Sequence, residues 1–410
     1  MKKRTCRMCG GRNFKRVIDF GENPLVNSLV EKEDLDKKEP VYNLVVVQCQ
    51  DCFLVQTENP IDSHKIYMDI DYLYYSSDMP GLAEYFKEYA VDIKQRFLEE
   101  EDFVVEIGSN DGILLQLFQG WSQPVLGVDP ATNVVVRALA NGIPTLAAPF
   151  NKRFAKHIVR DWGKAKVICG NNCIAHIDDL DSVMEGVTEL LSDDGVFVVE
   201  CNYWGGMVKN KNYALIYHDH FSYFTLQTWF NYLKKFNMEP FDAWVTPAQG
   251  GSLRMFACKT GEYERTERYA KLLQEEEDTN LNSYETAKKY HKNVTFEAKK
   301  LHHLISDLKK QGKRIAGYGA AAKGFSVLKL AGITEKHLEY FIDDSPAKQG
   351  KWTPVTHIPV ISRKETEDFE SVDYFFITAP NYEKVIVEKE SDFLSRGGCF
   401  ITIDGRIIKK

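Results

Sequence analysis

Cysteine spacing constrains this chain more than any other feature. Of its nine cysteines, Cys6, Cys9, Cys49 and Cys52 form two C-x-x-C pairs near the amino end, while Cys169, Cys173, Cys201, Cys258 and Cys399 stand singly. Two residues between thiolates let both sulfurs reach one ion at about 2.3 Å, and two such pairs complete a tetrahedral zinc site with no open position. A closed site of this kind is structural, fastening a segment too small to bury enough apolar surface unaided. Four free thiols or a redox pair would be the alternative. The single cysteines lie in apolar, strand-like runs and read as core residues.

A chain of 410 residues predicts two or three domains. With 44% hydrophobic and 12% aromatic residues it is not a disordered chain. A net charge of −7 gives no reason to expect a nucleic-acid partner. No apolar run approaches the length of about twenty residues that spans a bilayer. Arg4, Thr5, Cys6 and Arg7 follow Met1-Lys2-Lys3 where a signal peptide needs an apolar segment, so no membrane association and a cytoplasmic location are expected.

Beyond the cysteine segment comes a tyrosine-rich patch, Tyr72-Leu73-Tyr74-Tyr75-Ser76-Ser77. Helical spacing over Leu82–Phe97 precedes strand-like runs at Phe103–Gly108, Val125–Val128, Val167–Cys169, Val196–Glu200 and Gly251–Cys258. That alternation predicts a parallel sheet flanked by helices. Residues 262–310 are rich in Glu, Lys and Gln and read as one or two solvated helices, with Glu275, Glu276, Glu277 and Asp278 on an exposed face. A second α/β unit opens at Arg314 and continues through strands at Leu338–Ile342, Tyr374–Thr378 and Cys399–Ile403. The expected fold class is therefore α/β, a small zinc-binding N-terminal module plus two Rossmann-like domains. The boundaries expected are 1–70 for the zinc module, 71–262 for the first domain, and 263–410 for a helical connector with the second.

Three constellations carry chemistry. The first is Glu106-Ile107-Gly108-Ser109-Asn110-Asp111-Gly112, a strand running into a glycine-bearing loop that a ligand can approach closely. It is not G-x-G-x-x-G and has no P-loop lysine. Its acidic residues suit a ribose and a cation, as in S-adenosylmethionine, better than a phosphate. Glu106, Gly108, Asn110 and Gly112 are the candidate contacts, and Asp129 ends the next strand where a carboxylate can accept from ribose hydroxyls. The second is Tyr217-His218-Asp219-His220, with Tyr223 close behind. Histidines two apart suit proton transfer better than a helical zinc motif. His176 lies just past another strand, after Asn171 and Asn172, at the same sheet edge. The third is Gly317-Tyr318-Gly319-Ala320-Ala321-Ala322-Lys323-Gly324, whose exposed N–H groups and lysine suit a diphosphate, followed by Asp343-Asp344-Ser345-Pro346 for sugar hydroxyls.

Taken in order, these motifs, with Gly250-Gly251-Ser252-Leu253-Arg254 and Thr356-His357-Ile358-Pro359, resemble the nucleotide-sugar C-methyltransferases over nearly the whole chain. The resemblance implies S-adenosylmethionine as methyl donor, structural zinc, and methylation of a keto-deoxysugar, most often at C3 of a dTDP-linked 4-keto-6-deoxyhexose; GDP or CDP carriers are alternatives. It places Tyr72, Tyr74, His176, Tyr217, Asp219 and His220 around the sugar, with His220 as base. Asn171 and Asn172 go with the methyl donor, and Tyr223, Gly319, Lys323 and Asp344 with the nucleotide sugar. One position departs from the family's Tyr-His-Glu-His: Asp219 is shorter by one carbon–carbon bond, about 1.5 Å. A monomer is expected. Other readings stand beside this one: within the class an O- or N-methyltransferase, which has less use for an enolate-stabilising cluster, and two from other classes. One is a non-catalytic nucleotide-sugar binding protein that keeps the fold. The other is an NAD-dependent sugar dehydrogenase using the Gly317 turn, against which stand the missing G-x-G-x-x-G and the missing Tyr-x-x-x-Lys.

Overall fold

A computed structural model describes residues 5–68, 72, 74–365 and 372–410. It divides into two compact units. The first comprises residues 1–15, 47–206 and 219–286, the second 16–46, 207–218 and 287–410.

In the first unit the helix Leu82–Phe97 buries Phe86, Tyr89, Ala90, Ile93 and Phe97, the single face that the helical spacing predicts. It packs on a seven-stranded sheet whose strands are β1 (Val104–Ile107), β2 (Val125–Asp129), β3 (Thr145–Ala147), β4 (Ala165–Asn171), β5 (Leu191–Asn202), β6 (Met238–Thr246) and β7 (Ser252–Lys259). Their spatial order is β6-β7-β5-β4-β1-β2-β3. All neighbours are parallel except β7, which runs antiparallel to β5 and β6. From β1 the chain builds outward to β3 and then returns to β4 on the other side of β1. That reversal leaves a crevice at the carboxyl ends of β1 and β4, where open α/β sheets bind ligands. The later strand expected at Gly251–Cys258 is β7, in this same sheet.

Glu276 corrects the reading of the charge run as an exposed face. It is buried, and its carboxylate accepts from Leu226 N at 2.7 Å and Gln227 N at 3.0 Å. A carboxylate there satisfies free N–H groups at the start of the helix Leu226–Leu233 and complements its dipole.

The second unit has a six-stranded sheet of β8 (Ile315–Tyr318), β9 (Phe341–Ile342), β10 (Val360–Ile361), β11 (Tyr374–Ile377), β12 (Cys399–Ile401) and β13 (Ile407–Ile408), in the order β10-β9-β8-β11-β12-β13. The strands from β8 to β12 pair in parallel, and β13 closes the edge antiparallel. Residues lying between the two cysteine pairs belong here: Val30 and Trp352 exchange backbone hydrogen bonds of 2.8 Å, and Glu39 pairs with His357 at 2.6 Å. The polar stretch after residue 262 forms two helices, Glu267–Asp278 and Tyr284–Lys310.

Candidate active site and zinc centre

The two C-x-x-C turns fold alike. Gly10 N donates to Cys6 O at 2.9 Å, and Phe53 N donates to Cys49 O at 3.0 Å. Gly10 and Phe53 both take left-handed backbone, with φ of +71° and +68°. The four sulfurs lie within 4.8 Å of one another, with Cys6–Cys52 at 3.4 Å and Cys9–Cys49 at 3.6 Å. Sulfurs bound tetrahedrally at 2.3 Å stand about 3.8 Å apart, so the cluster fits zinc. Hydrogen bonds from Cys49 and then Cys52 hold Cys6 far below an ordinary thiol, whereas Cys49 and Cys6 push Cys52 upward. A dication lets all four be thiolates together. Two further donors favour the charged sulfurs: Gln56 Nε2 on Cys6 at 3.2 Å and Gly11 N on Cys9 at 3.3 Å.

At the crevice, Gly108 has φ +67°, and a Cβ there would lie 2.5 Å from Cys173 Cβ, so only glycine fits. Asp129, ending β2, accepts from Asn110 N and Ala131 N, both at 2.9 Å, which fixes the loop while leaving lone pairs free. Burial raises the Glu106 carboxyl well above its usual range, and the charges of Asp129 and Asp111 push it further. Glu106 Oε2 and both amide atoms of Asn171 are buried with no hydrogen-bond partner among the described residues. Orphaned donors and acceptors beside a glycine loop suit a hydroxyl-bearing ligand, and the ribose of S-adenosylmethionine is one. Asn172 has φ +54° and donates its N–H to Glu200 O at 2.7 Å.

The tyrosine-rich segment lies over this loop. Asn110 accepts from Ser76 N at 2.8 Å and donates to Tyr74 O at 2.9 Å, and Asp111 accepts from Ser77 N at 3.1 Å. Asn133, on the helix after β2, donates to Tyr72 O at 2.9 Å and Tyr75 OH at 2.8 Å. Tyr72 is pushed upward by burial and then by the charges of Asp219, Tyr74 and Asp129. Its ring is 5.3 Å from Tyr67 and 6.4 Å from Tyr74.

His176 and His220 meet edge to face at 4.8 Å between ring centres. Burial lowers His176 to about 4, so its imidazole is neutral at pH 7, and Tyr67 OH hydrogen-bonds its Nδ1. Burial also pushes the Asp219 carboxyl up to about 7. His220 is buried, and Tyr223, buried as well, lies 6.5 Å from it. Thus Tyr72, Tyr74, His176, Asp219, His220 and Tyr223 fall in the first unit with the glycine loop.

Tyr217, Gly319, Lys323 and Asp344 fall in the second unit. There Gly319 has φ +86° in the turn after β8, and burial lowers Lys323, on the first turn of the helix Ala322–Ala331, to about 7. Asp344 pairs with Lys389 at 2.6 Å. Asp343 accepts from Ala320 N at 2.7 Å, repeating for the second glycine turn what Asp129 does for the first. Sequence reasoning missed Tyr67 and Asn133, which carry no local signal, and it grouped Asp343 with Asp344 for sugar hydroxyls, whereas one Asp343 oxygen is engaged by the glycine turn.

The chain is a methyltransferase. Three family models match consecutive blocks of the chain: a zinc binding domain over residues 6–67, a methyltransferase domain over 82–241 and a C-methyltransferase C-terminal domain over 247–403. The chain is 31% identical over 398 residues to the C-methyltransferase NovU of Streptomyces niveus, covering 97% of this chain and 94% of that protein. It belongs to the C-methyltransferase family, and is an S-adenosylmethionine-dependent enzyme with a structural zinc module. Among solved structures, the plantazolicin methyltransferase BpumL with SAH matches at 11% identity and TM-score 0.34, covering 42% of this chain and 82% of that one. A SAM-dependent methyltransferase of Anabaena variabilis matches at 13% identity and TM-score 0.34, covering 42% and 84%. No helix among the described residues is long and apolar enough to cross a membrane.

Proposed function

We propose that the enzyme methylates C3 of a nucleotide-linked 4-keto-6-deoxyhexose, carried on dTDP, through an enolate formed with His220 as base. The observation that carries this reading is the buried His176–His220 pair at 4.8 Å, with Asp219 beside it. A carbon–hydrogen bond is not nucleophilic, but a ketone alongside makes its proton removable by an imidazole. Transfer to oxygen or nitrogen would need no such provision. His220 takes the C3 proton. His176, neutral and hydrogen-bonded through Nδ1 to the Tyr67 hydroxyl, donates to the enolate oxygen in its Nε2–H tautomer, as Tyr217 can also do. Asp219 and Tyr72 hold sugar hydroxyls, and the Tyr74 segment covers the glycine loop. When bound, S-adenosylmethionine supplies the electrophilic methyl that the enolate carbon takes. Glu106, Gly108, Asn110, Gly112, Asp129, Asn171 and Asn172 bind that donor, while Tyr223, Gly319, Lys323 and Asp344 bind the nucleotide sugar.

In this reading the zinc module covers 1–70, the donor domain 71–262 and the sugar-nucleotide part 263–410, in a cytoplasmic monomer. The test is incubation with methyl-labelled S-adenosylmethionine and dTDP-, GDP- and CDP-linked 4-keto-6-deoxy sugars, with NMR assignment of the new methyl. A C3 methyl on the dTDP sugar is expected. Label on no sugar sinks the substrate class, and label on a hydroxyl oxygen sinks the enolate.

A further inference from the structure

The first zinc knuckle carries a charge that zinc binding alone does not require. Arg7, between ligand Cys6 and Met8, has a side chain only 4% exposed. Its Nη1 donates to Gln56 Oε1 at 2.9 Å, Thr57 O at 3.0 Å and Phe221 O at 3.2 Å; Nη2 donates to Thr57 Oγ1 at 3.3 Å, and Nε to Asp178 at 2.9 Å. The guanidinium carbon also lies 5.5 Å from the centre of the Phe221 ring. A buried guanidinium is tolerated only when its planar fork is filled in this way.

Phe221 is the residue after His220. Its carbonyl accepts from Thr57 N at 2.9 Å as well as from Arg7, and its N–H donates to Ala175 O at 2.7 Å. Ala175 precedes His176. One residue therefore ties both histidine-bearing segments together, and Arg7 anchors it. Gln56 closes the chain on the metal side, accepting from Arg7 and donating to Cys6 Sγ at 3.2 Å. Thiolate, amide, guanidinium and peptide carbonyl form a continuous path from the zinc knuckle to the histidine pair.

We infer that Arg7 is a positioning residue for His176 and His220, so that the zinc knuckle sets the geometry of proton removal as well as the fold of its own segment. This rests on His220 being the base. Lysine cannot replace Arg7, because a single ammonium on a flexible stem cannot serve acceptors on three segments at once.

The test uses the full zinc-loaded chain carrying Arg7→Lys, with the dTDP-linked 4-keto-6-deoxyhexose and S-adenosylmethionine. Zinc stoichiometry and S-adenosylmethionine affinity should stay within twofold of wild type while kcat falls at least tenfold and KM for the sugar changes little. In chains labelled with nitrogen-15 histidine, the His176 imidazole titration should move up toward the ordinary range, a readout independent of turnover. Wild-type kcat and histidine titrations in a zinc-replete Arg7→Lys protein overturn the inference. Should Arg7→Lys lose zinc, Thr57→Val decides, since it deletes one Arg7 acceptor, together with the weak 3.5 Å bond from Thr57 Oγ1 to Phe221 O, and touches no zinc ligand. A two- to fivefold loss of kcat at full zinc content supports the inference, and unchanged kcat overturns it. His220→Asn run in parallel separates the two ideas: if it retains turnover the base assignment has failed, whereas an inactive His220→Asn beside fully active zinc-replete Arg7→Lys and Thr57→Val sinks only the role of Arg7.

Discussion

Replacing Asp219 by asparagine should change the pH dependence of stability in a calculable way. Burial raises the Asp219 carboxyl from its ordinary 3.8 to about 7 in the folded chain, where it is 4% exposed. A group whose folded pKa is raised contributes stability that is full below the unfolded value and lost as pH rises through the folded one. A rise of about three in pKa, at about 1.4 kcal/mol each, amounts to about 4 kcal/mol lost between about pH 4 and pH 7. Asparagine keeps the size and neutrality of the protonated acid and loses nothing on that path. Denaturant titrations of zinc-loaded wild type and Asp219→Asn at steps from pH 4 to 7.5 should give a difference near its minimum at pH 4. That difference should grow in favour of the variant by up to about 4 kcal/mol at pH 7. His176, shared by both proteins, drops out of it. A difference that does not vary with pH, or that favours the wild type as pH rises, refutes the argument that Asp219 is neutral in the folded site.

The mirror experiment is His176→Asn. Burial lowers this imidazole from 6.5 to about 4, so the wild type loses about 3 kcal/mol as pH falls through that window, and the variant should lack that loss when both are titrated. Asp129→Asn puts an amide where two backbone N–H groups need an acceptor, and should raise the S-adenosylmethionine Kd by about ten- to a hundredfold, read by calorimetry. Cys52→Ser should reduce bound zinc from one per chain toward none by metal analysis and lower Tm.

The elements that position the site were legible because their signals are local. The helix Leu82–Phe97 shows its buried face at helical spacing, and β1, β2, β4, β5, β8, β11 and β12 show apolar runs. The metal cluster follows from spacing alone. What the sequence did not disclose depends on distant pairing. β6 is paired antiparallel to β7, its bent register holds Pro240, and its apolar positions do not form one continuous run. Arg7 and Tyr67 carry no local signal, because Phe221 and His176 are brought to them across more than a hundred residues. Glu276 hides inside a charge run because its partners, Leu226 N and Gln227 N, lie some fifty residues away. Residues 16–46 read as part of the zinc segment, yet Val30 bonds to Trp352 and Glu39 to His357, in the connection between β9 and β10, a grouping that no local pattern encodes.

The central claim is that His220 makes a carbon nucleophile by removing a proton beside a ketone. The direct measurement is solvent deuterium exchange at C3 of the dTDP-linked 4-keto-6-deoxyhexose, followed by NMR with S-adenosylhomocysteine in place of the methyl donor so that no transfer intervenes. Wild-type enzyme should wash deuterium into C3, and His220→Asn, zinc-loaded and binding the sugar normally, should slow that exchange by at least a hundredfold. Exchange at the wild-type rate in His220→Asn contradicts the account.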